Sequence, residues 1–140
     1  METIEPIAKF QGRINKDGRV TIPKQILNSF GIKQNDYVKV IVRKIEIVEK
    51  TITVLAQALL VVKIGKYGAI TIPRKLIREM GLNESTQLEI ILLDFYKFDE
   101  LVSEKGKKLL LSLQSQANYR ILPLDATYTQ EIGVRYRYLV

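Results

Sequence analysis

Residues 18–23, Gly-Arg-Val-Thr-Ile-Pro, return fifty positions later as Gly-Ala-Ile-Thr-Ile-Pro at 68–73, and each copy is followed by a further glycine, Gly31 and Gly81. The wider frame repeats as well: Ile14 with Ile64, Lys16 with Lys66, Lys24 with Arg74, and Ile41 with Ile91. Five coincident identities in one register have odds on the order of 10⁻⁶ at ordinary residue frequencies. Such a repeat is one supersecondary unit used twice, each copy too small to bury a core of its own. Two copies in 140 residues therefore predict mutual packing about an approximate two-fold axis.

The same elements are predicted in each copy. Lys9 to Asn15 and Leu59 to Ile64 are β-prone runs, each leading into a turn that ends in glycine, Gly18 or Gly68. A second short strand follows, Arg19 to Ile22 and Ala69 to Ile72. Pro23 and Pro73 then open a helix, since proline loses nothing at a first helical turn. Ile26, Leu27 and Phe30, and likewise Leu76, Ile77 and Met80, line one helix face. Gly31 and Gly81 suit the left-handed residue that ends it. Strands are predicted over Tyr37 to Ile47 and Gln87 to Phe95, with a bulge near Arg43-Lys44, where the alternation changes parity. Glu49-Lys50-Thr51 reads as a hairpin turn into Ile52 to Leu55. The second copy has no such partner strand after Phe95, and a tail segment is expected to fill that place.

The tail, 96–140, has no counterpart in the repeats. It predicts a helix from Asp99 to Asn118 interrupted at Gly106, then strands over Tyr119 to Leu124 and Val134 to Val140. The expected organisation is a first repeat over 7–56, a second over 57–95 and a helix–strand extension over 96–140.

Composition removes whole classes of chemistry. The chain has no cysteine and no histidine, which deletes thiol catalysis, thiolate metal sites and the commonest general base. The carboxylates Asp94, Asp99 and Glu100 lie close in sequence with no nucleophile or metal ligands beside them. No enzyme activity, cofactor or metal is expected. Met1 to Phe10 has no apolar run of the signal-peptide kind, and the longest apolar stretches are too short to span a bilayer. A cytoplasmic protein with no membrane partner is expected.

The formal charge is +7, and its placement matters more than its size. Lys9, Arg13, Lys16, Arg19 and Lys24 face a single Asp17 in the window 9–24. Lys63, Lys66, Arg74, Lys75 and Arg78 face no acid in the window 63–78. These two windows carry more positive charge than the whole chain, so the remainder is net negative. A cationic stretch repeated at equivalent places points to nucleic acid. Arg13, Lys16, Arg19 and Lys24 are the candidate contacts of one half, and Lys63, Lys66, Arg74, Lys75 and Arg78 those of the other.

The lines GRINKDGRVTIPKQILNSFGIKQNDYVKV and VKIGKYGAITIPRKLIREMGLNESTQLEI resemble the AbrB/MazE/SpoVT family of swapped-hairpin DNA-binding domains, over about residues 7–95. The resemblance implies a mainly β fold with short helices, a double swapped-hairpin barrel made by the two tandem repeats and followed by an α/β extension. It implies a transcriptional regulator associated with the nucleoid, with double-stranded DNA as its partner. The repeats would pair either as a homo-oligomer or as an intramolecular pseudo-dimer. The alternative is an antitoxin that holds a toxin through residues 96–140 and represses its own operon. Against it, toxin-wrapping tails of the family tend to be acidic, whereas this one has seven basic and five acidic residues. Ala69 stands where the first copy has Arg19, and Asn28 stands opposite Arg78, so the two halves are expected to read an asymmetric DNA site. The tail tyrosines Tyr119, Tyr128, Tyr136 and Tyr138 are read as packing residues rather than base-stacking ones.

Overall fold

The computed structural model describes residues 6–103, 106–115 and 119–124. The strand predicted over Val134 to Val140, with Tyr128, Tyr136 and Tyr138, lies outside the described residues.

The first repeat forms β1 (Ala8–Gly12), β2 (Arg19–Thr21), the helix α1 (Lys24–Phe30) and β3 (Tyr37–Val48). A hairpin turn at Glu49 and Lys50, both at positive φ, returns the chain as β4 (Thr51–Lys63). The second repeat continues without a break. The last residues of β4 serve as its first strand, followed by a 3-10 turn (Lys66–Gly68), β5 (Ala69–Thr71), α2 (Arg74–Met80) and β6 (Gln87–Tyr96). The expected division at 56/57 thus falls inside one continuous strand. The tail supplies α3 (Phe98–Leu101), α4 (Lys107–Ser115) and β7 (Tyr119–Leu122).

Five strands make an antiparallel sheet in the order β1-β6-β3-β4-β7, and β2 pairs with β5 as a separate two-stranded ribbon. The first strand of each repeat pairs with the last strand of the other side of the dyad in matching register. Ala8 faces Leu92 as Ala58 faces Val42, and Gly12 faces Leu88 as Val62 faces Val38. Each partner is fifty residues from its counterpart. In the ribbon, Arg19 faces Thr71, Val20 faces Ile70 and Thr21 faces Ala69. The pseudo-dyad therefore runs between Val20 and Ile70 and between Ile41 and Ile91. The two repeats interlock within one chain, as an intramolecular pseudo-dimer.

Burial explains the arrangement. Val38, Val40 and Val42 of β3 and Leu88, Ile90 and Leu92 of β6 turn one sheet face toward Val20, Ile22, Ile70 and Ile72 of the ribbon. Leu76 and Met80 of α2 are buried in this core, and Ile26, Leu27 and Phe30 of α1 pack against it half-buried. Ile41, Ile91, Leu93 and Leu122 form a smaller cluster of their own. The central strands thus bury both faces, which accounts for the unbroken apolar run Ile90–Leu93. Seven-residue helices are unstable alone, and these two are held by docking.

Two expectations need correction. The barrel is not closed: among the described residues the ribbon pairs only with itself, and the five-stranded sheet keeps β1 and β7 as edges. The tail strand does not fill the flank of β6, because β1 already occupies it; β7 adds instead to the outer edge of β4, Gln57 facing Leu122. The tail helix is interrupted at Gly106, as expected, into α3 and α4; Gly106 lies so close to Glu100 that a Cβ there would sit 1.9 Å from its carbonyl oxygen. The predicted bulge is present, between Lys44 and Ile45.

Candidate nucleic-acid interface

The ribbon positions the candidate cations. Val20 and Ile70 point into the core, so Arg19, Thr21 and Thr71 point outward and are exposed, with Ala69 half-buried beside them. At each end of the ribbon a basic turn from one repeat meets the helix of the other. At one end, Asn15 organises the turn: its side-chain oxygen accepts from the N–H groups of Asp17 and Arg19 at 2.9 and 3.0 Å. Gly18, at φ +76°, approaches α2 so closely that a Cβ would lie 2.9 Å from Cδ1 of Ile77. The N–H of Ile72 donates to Gly18 O at 2.8 Å. Lys16, Asp17, Arg74 and Glu84 consequently line one cleft.

The other end mirrors it. The N–H of Ile22 donates to Gly68 O at 3.0 Å, and a Cβ on Gly68 would lie 2.3 Å from Cδ1 of Leu27 in α1. The N–H of Asn35 donates to Ile64 O at 2.9 Å, which sets the loop from Lys33 beside the turn holding Lys66. Tyr67 stands at the tip of this turn in the left-handed conformation, φ 61°, with its side chain 93% exposed.

All nine candidate side chains, Arg13, Lys16, Arg19, Lys24, Lys63, Lys66, Arg74, Lys75 and Arg78, are exposed. Neither of the ion pairs Arg43–Glu89 and Lys97–Asp36 uses any of them. The fold regroups them, however. Sequence order assigns Lys16 and Arg19 to one half and Arg74 to the other, whereas the interlock places all three at one end of the ribbon. Arg13 stands apart: its guanidinium donates to Gln87 Oε1 at 3.2 Å and lines a different cleft, of about 450 Å³, with Lys44, Glu46 and Leu55 at the base of the β3–β4 hairpin. Lys63 ends β4 opposite Tyr37, the pseudo-symmetric counterpart of Arg13 beside Gln87.

One heavily bonded polar group is not among the candidates. Asp36, 2% exposed, accepts from Lys33 N and Phe98 N, both at 2.8 Å, and from the ammonium of Lys97, which also donates to Gly31 O. Burial pushes the carboxyl up, but the Lys97 bond, the two backbone N–H groups and the Lys97 charge outweigh it and hold the pKa below the usual aspartate value. Asp36 thereby fastens the tail to the first repeat. One signal was legible in the repeat: Asp36 aligns with Thr86, whose hydroxyl oxygen accepts from Asn83 N at 2.9 Å as Asp36 accepts from Lys33 N. On the other side Lys44 donates to Met80 O and Gly81 O, at 3.1 and 3.2 Å, and closes the end of α2.

Compared with known protein families, residues 13–52 and 61–94 each match the profile described as antidote-toxin recognition MazE, bacterial antitoxin. The two matches together span more than half of the chain. The chain belongs to the MazE family. Its two MazE-type units are the two interlocked repeats, and domains of this type serve DNA-binding regulators and antitoxins in general. Among solved structures the chain is similar to the solution structure of PHS018 from Pyrococcus horikoshii, with a TM-score of 0.55 and 25% identity over 66% of this chain and 96% of that one. A comparison with curated proteins returns no match. Among the described residues of this MazE-family chain, no helix is long and apolar enough to cross a membrane.

Proposed function

We propose that the protein is a DNA-binding transcriptional regulator of the cytoplasm and nucleoid, which lays the β2–β5 ribbon and its flanking turns on duplex DNA. The observation that carries this reading is the regrouping itself. Interlocking places the basic turns of both repeats at the two ends of one outward-facing ribbon. A two-stranded ribbon matches the width of a B-DNA major groove, about 12 Å. The contacts are Lys16, Arg19, Arg74, Lys75 and Arg78 at one end, Lys24 and Lys66 at the other, and Arg13 and Lys63 at the margins. Lysines neutralise phosphates, while an arginine fork can bond a guanine edge through two N–H groups. Binding of a labelled duplex at rising salt tests the reading. The logarithm of the association constant should fall linearly with log salt, by about 0.9 per phosphate neutralised. A flat response from low to moderate salt would overturn it.

A second reading, the antitoxin with a protein partner on residues 96–140, is favoured by one feature of the tail. Phe98, Val102, Leu109 and Leu111 are 40–64% exposed, and Leu109 lines a cleft with Tyr96, Leu101, Asp99 and Glu100. Co-purification of a stoichiometric protein from the native host, lost when Leu111 becomes charged, would support that role.

A further inference from the structure

Although β2 and β5 pair in a register symmetric about Val20 and Ile70, the side chains that they and their flanking turns carry are not symmetric. Fifty-residue counterparts occupy equivalent places on either side of the Val20–Ile70 dyad, so each difference between them is a difference between the two ends. Arg19 has Ala69 as its counterpart, Arg74 has Lys24, and Arg78 has Asn28. Sequence order disguises what this adds up to, because Arg19 belongs to one repeat and Arg74 and Arg78 to the other. In the fold, Arg19 faces Thr71, three residues before Arg74, and the Gly18–Ile77 approach closes the same end. Arg78 follows one turn after Arg74 on α2, which runs from Arg74 to Met80. Arg19, Arg74 and Arg78 therefore belong to one end, the first on the ribbon and the other two on the helix docked beside it. The opposite end has Lys24, Lys33 and Lys66, with no arginine among the described residues.

Acidic groups sharpen the contrast. Asp17 and Glu84 line the cleft of the arginine end with Lys16 and Arg74. Their counterparts across the dyad are Tyr67 and Gln34, which are uncharged. Carboxylates beside the arginine end repel a phosphate backbone, whereas Tyr67 and Gln34 at the lysine end do not. Lysine offers a point charge suited to phosphates, and arginine a planar fork suited to guanine O6 and N7.

We propose that the two ends do different work on duplex DNA. The end with Arg19, Arg74 and Arg78 reads base edges, and the end with Lys24, Lys33 and Lys66 holds the backbone. One chain then binds in a single orientation on a site without dyad symmetry. This inference rests on the DNA-binding reading above and adds polarity to it.

The test joins selection with orientation. The intact chain is used to select from random duplexes at physiological salt. Because it has no cysteine, Gln34→Cys gives a single attachment point at the lysine end for an iron chelate that cleaves nearby DNA. The expected result is a motif without two-fold symmetry and cleavage on one flank only. A third arm replaces Arg19 and Arg74 with lysine, which preserves charge: the ratio of affinity for the selected motif to affinity for unselected duplex should drop at least tenfold. A palindromic motif, equal cleavage of both flanks, or preference unmoved by the lysine variant would overturn polarity and leave the DNA-binding reading intact. Failure to bind any duplex in a salt-dependent manner would overturn both.

Discussion

Ile41 and Ile91 face each other across the middle of the sheet, and on either side of that pair the register reads the same in both directions: Val40 meets Leu92 and Val42 meets Ile90. The axis defined here also passes through Val20 and Ile70 in the ribbon above. A single pseudo-dyad thus organises both layers, and it turns two fragments unable to fold alone into one core.

The approach of each glycine turn to the opposite helix should be visible in stability. Gly18→Ala and Gly68→Ala each force a side chain into the left-handed region, at φ +76° and +72°, costing about 1–2 kcal/mol. The added methyl groups also displace Ile77 and Leu27, respectively. Urea midpoints should fall for both variants. Unchanged midpoints would show that these turns are not held against α2 and α1.

The Asp36 fastening predicts an acid response. The folded carboxyl sits below its ordinary value, so its contribution is present above about pH 4 and is lost as pH falls through the folded value. Lys97→Met removes the countercharge from a carboxylate that remains buried. Stability near neutral pH should drop by about 1–3 kcal/mol, and the difference from the parent should narrow as pH falls through the folded value. Circular dichroism against pH checks this, and superimposable curves for the two proteins would refute it.

Arg74 and Arg13 should separate in DNA binding. Arg74 lines the cleft at the end of the ribbon with Lys16, whereas the Arg13 guanidinium is already engaged with Gln87 near the hairpin base. Arg74→Ala should reduce the salt slope by about one contact, and Arg13→Ala should reduce it by less. Equal losses would place the binding surface across the sheet end rather than along the ribbon.

Tyr67 holds an unfavourable backbone conformation with its ring in solvent. A left-handed tyrosine costs about 1–2 kcal/mol relative to the right-handed region, and this one buries little in return. Tyr67→Gly should therefore leave the urea midpoint equal or higher. A lowered midpoint would show that the ring supports the fold.

Much of the local structure was legible because it depends on near neighbours. The positions of Gly18, Gly31, Gly68 and Gly81 at positive φ follow from turn and helix-end stereochemistry, and the bulge at Lys44/Ile45 from a change of alternation. Long-range pairing was less accessible. Nothing local to Lys16 indicates that its neighbour will be Arg74 from the other repeat, since that depends on the strand exchange. Nor does a lone Asp36 announce that it will be buried under Lys97, sixty-one residues away. The edge chosen by β7 follows from β1 having covered β6, again a property of the assembled sheet.

A cross-link between the repeats tests the central claim most directly. Thr21 and Ala69 face each other in the ribbon, and directly opposed residues in an antiparallel pair have Cα atoms about 4.5–5.5 Å apart, within reach of a disulfide. Thr21→Cys with Ala69→Cys, in a chain otherwise free of cysteine, should oxidise to a species that runs as a monomer on a non-reducing gel and still binds duplex DNA. A covalent dimer, or a cross-linked monomer that no longer binds, would contradict the account.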